Sequence, residues 1–381
     1  MHISYWCPFL GDVATISSVK NSIKSIRKFS KKKIKIDLIN YFDEWFLLKE
    51  FFSSKYNLNL IDFYNYNLLK FLPKNGFIKS RVTFLAMFFL AIFPLHNYLK
   101  NKKPDFFIVH LLTSLPLILL LLFNFKSKFI LRVSGLPKIN FLRKYLWGIA
   151  GKKLFKITVP TIDTKKMLLD LNIFPEDKII ILRDPIFSIY EILQKKKEKI
   201  NSNYKNFFVA IGRLTTQKNH QILLKAFSEL IKEKDCTSNL LILGSGEKET
   251  ELNSMIRNYN LDNKVFLVGY KKNPYKYINN SRCVISTSLW EDPGFVMVEA
   301  AACRKIIISS NCPNGPVEFI ENGKAGYLFN NNDYRDLLLK IKLFLGENKN
   351  VIRQKKLTAL KKARQYSLFY HYKELIKILN I

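Results

Sequence analysis

Apolar and polar positions alternate in two registers along the first forty residues. His2 to Trp6 reads as a short strand, and Pro8 to Asp12, carrying Gly11, reads as a turn. From about Thr15 to Phe29 the apolar positions Val19, Ile23, Ile26 and Phe29 recur near a period of 3.6 residues, with Lys20, Lys24, Arg27, Lys28 and Lys31 around them; this predicts a helix with one buried stripe. The stretch "KIKIDLIN" then alternates at a period of two. Strand, helix and strand in that order predict the opening of a parallel, doubly wound sheet.

The same alternation continues. "FFIVHLLTSLPLILLLLFNF", Phe106 to Phe125, has about the twenty residues that a membrane-crossing helix needs. His110, Thr113, Ser114 and Pro116 divide it instead into a buried strand, a polar turn and a buried helix, with Pro116 near the helix start where it is tolerated. "VTFLAMFFLAIF", Val82 to Phe93, is too short to span. Further strands are expected at Lys128 to Gly135, Lys156 to Pro160 and Lys178 to Pro185. The charged run from Gln194 to Asn206 has no apolar period and marks a domain boundary.

Beyond it the alternation restarts with "FFVAIG", "LLILGSG", "VFLVGY", "CVISTS", "KIIISS" and "GYLF", followed by two or three helices. The expected division is a first domain over 1–200, a second over 201–365, and a last helix over 366–381 packing back toward the first. Two such domains predict an α/β protein whose ligand lies in a cleft, at the carboxyl ends of parallel strands.

Composition refines this picture. The chain has 381 residues, 48% of them hydrophobic, which is enough for two cores. Its five cysteines, Cys7, Cys236, Cys283, Cys303 and Cys312, are odd in number and form no CxxC pair; this disfavours a disulfide framework or zinc site and predicts a reducing, cytoplasmic setting. The start, "MHISYWCPFLGDVATI", lacks the basic and apolar regions of a secretory signal. With 62 bases against 30 acids, the net charge of +32 suits an anionic partner. Lys, Asn, Ile and Phe are abundant together and spread throughout, as an A/T-rich genome would impose. Runs such as Phe141 to Lys156, which interleave bases with Trp, Tyr and Phe, suit the anionic surface of a membrane. Nucleic acid is not an expected partner, since zinc-finger, RRM and basic-zipper spacings are absent.

Four motifs carry candidate chemistry. In "AIGRLTTQKNH", Gly212 ends a strand while Arg213, Lys218 and a helix start crowd into one loop, an arrangement suited to a diphosphate, although a basic loop capping a helix would look the same. "ILGSGEKE" places Gly244 and Gly246 between strand and helix, where backbone can approach a ligand or simply turn. In "WEDPGFVMVEAAAC", Glu291 lies at a strand's carboxyl end and Glu299 inside an otherwise apolar helix opened by Gly294, so Glu299 needs a partner. "NCPNGPVEFIENGKAGYLF" enters a short helix through Gly315 and Pro316 and leaves it through tight turns.

In this order and spacing, GR-L-x-x-x-K-N, G-x-G, V-G-Y, S-x-x-E-x-x-G-x-x-x-x-E-A-A-A-C and G-P-x-E-x-I-x-x-G-x-x-G-Y-L resemble the donor-binding domain of the retaining glycosyltransferases of family 4. The resemblance covers Phe207 to Phe329, and the first 200 residues resemble the acceptor domain only in outline. It implies the GT-B architecture, two Rossmann-like doubly wound domains facing a deep interdomain cleft. It also implies that Arg213 and Lys218 hold the nucleotide diphosphate, with Gly11, Gly294, Phe295 and Val296 near it. Glu291 would approach the donor sugar, and Glu299 would bind the ribose, with Gly244, Gly269 and Tyr270 beside the nucleotide. No cofactor and no metal are implied, since Arg, Lys and a helix dipole replace the cation. Many members carry a catalytic histidine where this chain reads "LRVSG", so Ser134 and the preceding strand's His110 are the remaining candidates, though His110 could equally be a core histidine.

The expected activity is transfer of a glycosyl group from a UDP- or GDP-linked sugar, with retention, to a hydroxyl of a lipid-linked or envelope polysaccharide or lipopolysaccharide. The expected setting is cytoplasmic and peripheral, on the inner face of the cell membrane. The alternatives are a nucleotide-sugar epimerase of the same fold and a non-catalytic basic protein of GT-B shape that binds membrane or nucleic acid.

Overall fold

The computed structural model describes residues 1–9, 14–41, 43–45, 58–64, 77–135, 139–200, 204–233 and 237–380, without the side chains of 77–82 and 84. The chain forms two compact units, Met1–Pro185 with Leu368–Ile381, and Ile186–Ser367.

In the first unit, β1 (His2–Trp6), β2 (Lys35–Asn40), β3 (Asn59–Asp62), β4 (Phe106–Val109), β5 (Lys128–Arg132), β6 (Lys156–Val159) and β7 (Ile179–Ile181) form a sheet of order β3-β2-β1-β4-β5-β6-β7. Every pairing in it is parallel. Successive side chains of a strand point to opposite faces, so Trp6, Phe107, Val109 and Phe129 enter one core while Tyr5, Phe106, Ile108 and Ile130 enter another. The apolar run at Val82 lies within a longer helix, Phe77–Lys102, that continues through Pro94. Phe106 to Phe125 divides as its polar residues predict, into β4 and the helix Ser114–Leu122. Among the described residues no helix is long and apolar enough to cross a membrane.

The expected boundary near residue 200 is corrected to Pro185/Ile186. Ile186, Phe187 and Ile192 of the helix Ile189–Lys195 lie in a core of the second unit, and this apolar burial, rather than the charge run after it, decides where the unit starts. The chain returns to the first unit at Leu368, inside the segment expected to do so. There, in the helix Leu368–Ile378, His371 donates from Nδ1 to the Arg183 carbonyl at 2.7 Å, and its Nε2 lies 2.9 Å from Ser22 Oγ. Burial pushes His371 down to about 4, so the ring is neutral and its Nε2 can accept from the serine.

In the second unit, β8 (Phe207–Ile211), β9 (Asn239–Leu243), β10 (Val265–Leu267), β11 (Cys283–Ser286), β12 (Ile306–Ser310) and β13 (Tyr327–Phe329) form a parallel sheet of order β10-β9-β8-β11-β12-β13. Strand order reverses between β8 and β11, the place where loops diverge and leave room for a ligand. Phe207 and Val209 face one core, Phe208 and Ala210 the other. Cys7, Cys283, Cys303 and Cys312 are buried free thiols, and Cys236 lies outside the described residues.

Candidate functional site

The loops at the carboxyl edge of the second sheet are stitched together by backbone. Gly212 N–H donates to the Leu243 carbonyl at 2.9 Å, Leu214 N–H to Ser245 at 2.9 Å, and Gly244 N–H to Gly269 at 3.0 Å. A Cβ on Gly244 would lie 1.8 Å from the Gly212 carbonyl oxygen, and one on Gly246 would lie 2.4 Å from that of Leu214. The G-x-G pair thus lets the loop after β8 cross the loop after β9, a packing role the sequence did not separate from ligand approach. Gly269 has positive φ, and Tyr270 beside it is 76% exposed.

A second lacing joins the loops after β8 and β11. Thr287 Oγ1 donates to the Lys218 carbonyl at 2.8 Å, Gln217 Nε2 to the Trp290 carbonyl at 3.0 Å, and Leu289 N–H to the Gln217 carbonyl at 2.8 Å. Lys218 is thereby carried under Glu291, and the two form an ion pair through Nζ and Oε1. Ser288 Oγ donates to the same carboxylate oxygen at 2.6 Å. Arg213 is exposed, and among the described residues its guanidinium makes no ion pair. His220, at the start of the helix His220–Ile231, is buried close to this loop, and burial, then the Lys218 charge, pushes it down to about 4.

Gly294, at φ +89°, turns the chain into the helix Phe295–Ala302, whose start has no side-chain cap, so the first N–H groups around Phe295 and Val296 stay open to a ligand. One helical turn deeper, Glu299 finds the partner its apolar surroundings demand, accepting a hydrogen bond from Tyr275 Oη at 2.9 Å. Burial outweighs that bond and pushes Glu299 up to about 7. Ser288 opens the S-x-x-E motif, but its sequence context assigns it no role, and Thr287 and Tyr275 receive none either; Tyr275 sits on a different element, the helix Tyr275–Asn280.

In the first unit, His110 follows β4, lies near Tyr5 with ring centroids 6.2 Å apart, and is pushed down to about 3 by burial, then by the Arg132 and His371 charges. Ser134 is exposed after β5 and accepts from Arg132 Nε at 3.3 Å. Arg132 is itself buried and pairs with Asp184 at 2.7 Å. The remaining phosphate-loop candidate, Gly11, lies outside the described residues. Among the described residues no three His, Cys, Asp or Glu side chains cluster as a metal site.

Two doubly wound parallel domains define the class to which the chain belongs, the GT-B proteins. An Anabaena protein, HepE, solved with UDP, matches at TM-score 0.76 and 12% identity over 100% of both chains, a likeness of fold. The "Glycosyl transferases group 1" family model matches residues 192–364. An uncharacterized glycosyltransferase of Methanocaldococcus jannaschii is 30% identical over 318 residues, 76% of this chain and 77% of its own length. The chain belongs to the group 1 glycosyltransferases. The N-acetylgalactosamine-N,N'-diacetylbacillosaminyl-diphospho-undecaprenol 4-alpha-N-acetylgalactosaminyltransferase of Campylobacter jejuni is 27% identical over 237 residues, 60% of this chain and 63% of that enzyme.

Proposed function

We propose that this chain transfers a glycosyl group, with retention and without a metal ion, from a UDP- or GDP-linked sugar to a hydroxyl of a lipid-linked or envelope polysaccharide or lipopolysaccharide. The observation that carries the reading is the Lys218–Glu291 pair, set beside the exposed Arg213 and the uncapped helix start at Phe295. A diphosphate entering there meets two cations and open N–H groups, while Glu291 and Glu299 accept from sugar and ribose hydroxyls. In the reaction the bond from the anomeric carbon to phosphate oxygen breaks with its electron pair going to the diphosphate. The acceptor oxygen attacks from the same face, and its proton passes to the departing phosphate. Lys218 and Arg213 stabilise the charge that develops on that leaving group.

The acceptor class is supported by the Campylobacter relative, whose name specifies a glycan on diphospho-undecaprenol, and the donor class by the Anabaena protein's UDP complex. A peripheral position on the inner face of the cell membrane is supported by the helix Phe141–Lys153. Its Trp147 is buried, while Phe141 is 82% and Leu142 74% exposed beside Arg143 and Lys144. Apolar side chains facing outward among bases are what an interfacial helix on anionic lipid requires.

The test is a thermal-shift panel of UDP, GDP, ADP, CMP and their common sugars, without added metal, on the wild type and on Arg213→Ala/Lys218→Ala. One nucleoside diphosphate should raise the melting temperature of the wild type alone. No shift from any nucleotide would overturn the reading.

A further inference from the structure

On the second unit, a groove with a cavity of about 550 Å³ lies where the chain enters β12, at the amino edge of the sheet and therefore opposite the edge that carries Glu291. Four cations line it, Arg304, Lys349, Arg353 and Lys356, and among the described residues no acid does. None of the four forms an ion pair among the described residues. The floor is apolar, from Phe344, Ile352 and Leu360.

The composition of the chain explains scattered lysines, but it does not explain this concavity. The helix Lys349–Ala363 has Lys349, Arg353 and Lys356 at intervals of four and three, so all three fall on one face, and this face turns toward Arg304. Arg304 itself takes positive φ just past the end of the helix Phe295–Ala302, a position where Gly or Asn is the easier residue. Beneath it, Lys305 donates to the Ser281 carbonyl at 2.9 Å, and burial, then the Lys356 charge, holds its ammonium below the usual lysine range. Like charges are therefore crowded around a hollow that no acid of the described residues lines. Leu357, which also lines the groove, is exposed at its rim. A free phosphate would answer the cations and leave this apolar floor and rim unused.

We propose that the groove binds an anionic phospholipid, its phosphate between Arg353, Lys356 and Arg304 and its first acyl carbons on Phe344, Ile352 and Leu360. It rests on the membrane part of the reading above and not on the transfer chemistry. It would give the second unit a lipid contact of its own, separate from the helix Phe141–Lys153 of the first.

The experiment is calorimetric titration of the full chain with dihexanoyl-phosphatidylglycerol, kept below its micelle concentration so that no bilayer is involved. The expected result is saturable binding, weakened about tenfold or more in Arg353→Ala/Lys356→Ala and by less than about twofold in the charge-matched Lys31→Ala/Lys33→Ala. Leu360→Ser should weaken binding of the lipid while leaving thermal unfolding cooperative. Three outcomes would each overturn the proposal: equal loss in both double variants, equal affinity for dihexanoyl-phosphatidylcholine, or equal affinity for glycerol phosphate, which would make the site one for free phosphate. Vesicle binding through Phe141, tested separately below, can survive any of these, so a failure here is distinguishable from a failure of the membrane reading.

Discussion

The ammonium of Lys218 and the carboxylate of Glu291 pair across 73 residues of chain, and Ser288 donates to the same carboxylate oxygen at 2.6 Å. These contacts fix the ammonium and the carboxylate side by side, the arrangement on which the proposed roles of Lys218 toward the diphosphate and Glu291 toward the sugar rest.

Lys218→Ala should lower kcat/KM by about 10²–10³, since it removes the charge that the proposed mechanism places on the leaving group, with a larger effect on kcat than on donor KM. Folding stability should drop by only about 1–3 kcal/mol, because Ser288 continues to satisfy the carboxylate. Steady-state kinetics beside urea unfolding checks both. Activity within threefold of wild type would remove Lys218 from the mechanism.

Glu299, raised to about 7, is predominantly protonated at pH 6 and ionised at pH 8. If its carboxylate accepts from the ribose, donor affinity should fall as pH drops through about 7, and Glu299→Gln should flatten that profile. The stability consequence has the opposite sign to that of a salt-bridged acid. The folded state binds the proton more tightly than the unfolded chain, so the penalty is full above about pH 7 and disappears below the ordinary carboxylate range. Glu299→Gln should therefore melt higher than wild type at pH 8 and at the same temperature near pH 4.

Tyr275 Oη donates to Glu299, and that bond opposes the effect of burial. Tyr275→Phe should move the midpoint of the donor-affinity profile to higher pH, with kcat little changed at pH 9. An unmoved midpoint would leave Tyr275 a packing residue only.

Gly244→Ala places a Cβ 1.8 Å from the Gly212 carbonyl oxygen, at a φ of +152°. Neither backbone strand can yield without breaking the loop stitching, so a loss of about 2–4 kcal/mol in chemical unfolding is expected, together with loss of nucleotide binding. Full stability would show that the loop crossing is looser than its geometry.

Phe141→Ser/Leu142→Ser removes apolar area from the exposed face of the helix Phe141–Lys153 without touching the buried Trp147. Flotation with vesicles containing phosphatidylglycerol should recover several-fold less of the variant than of the wild type, with melting temperature unchanged. Equal recovery would exclude this helix as the membrane contact.

Much of this protein could be read from the chain alone, because its signals are local. Among the described residues, twelve of the thirteen strands coincide with runs of apolar residues bounded by turn residues, and the division of Phe106 to Phe125 into strand and helix follows from where its polar residues fall. β3 was missed: "NLID" is a four-residue edge strand with no buried position, so no apolar run announces it. The positions of Arg213, Lys218, Glu291 and Glu299 at strand ends and helix starts were legible in the same way, through the residues that flank them.

What only the tertiary structure decided is which of these residues meet. Pairing of Lys218 with Glu291 depends on β8 and β11 lying side by side, a choice made by the strand-order reversal and not by any residue of either motif. The same holds for Tyr275 against Glu299, for the crossing of the Gly212 and Gly244 loops, and for the unit boundary at Pro185. In each case the partner is remote in sequence, and the contact is selected by burial and packing summed over a whole sheet. Local pattern determines what an element is; only the folded core determines what it touches.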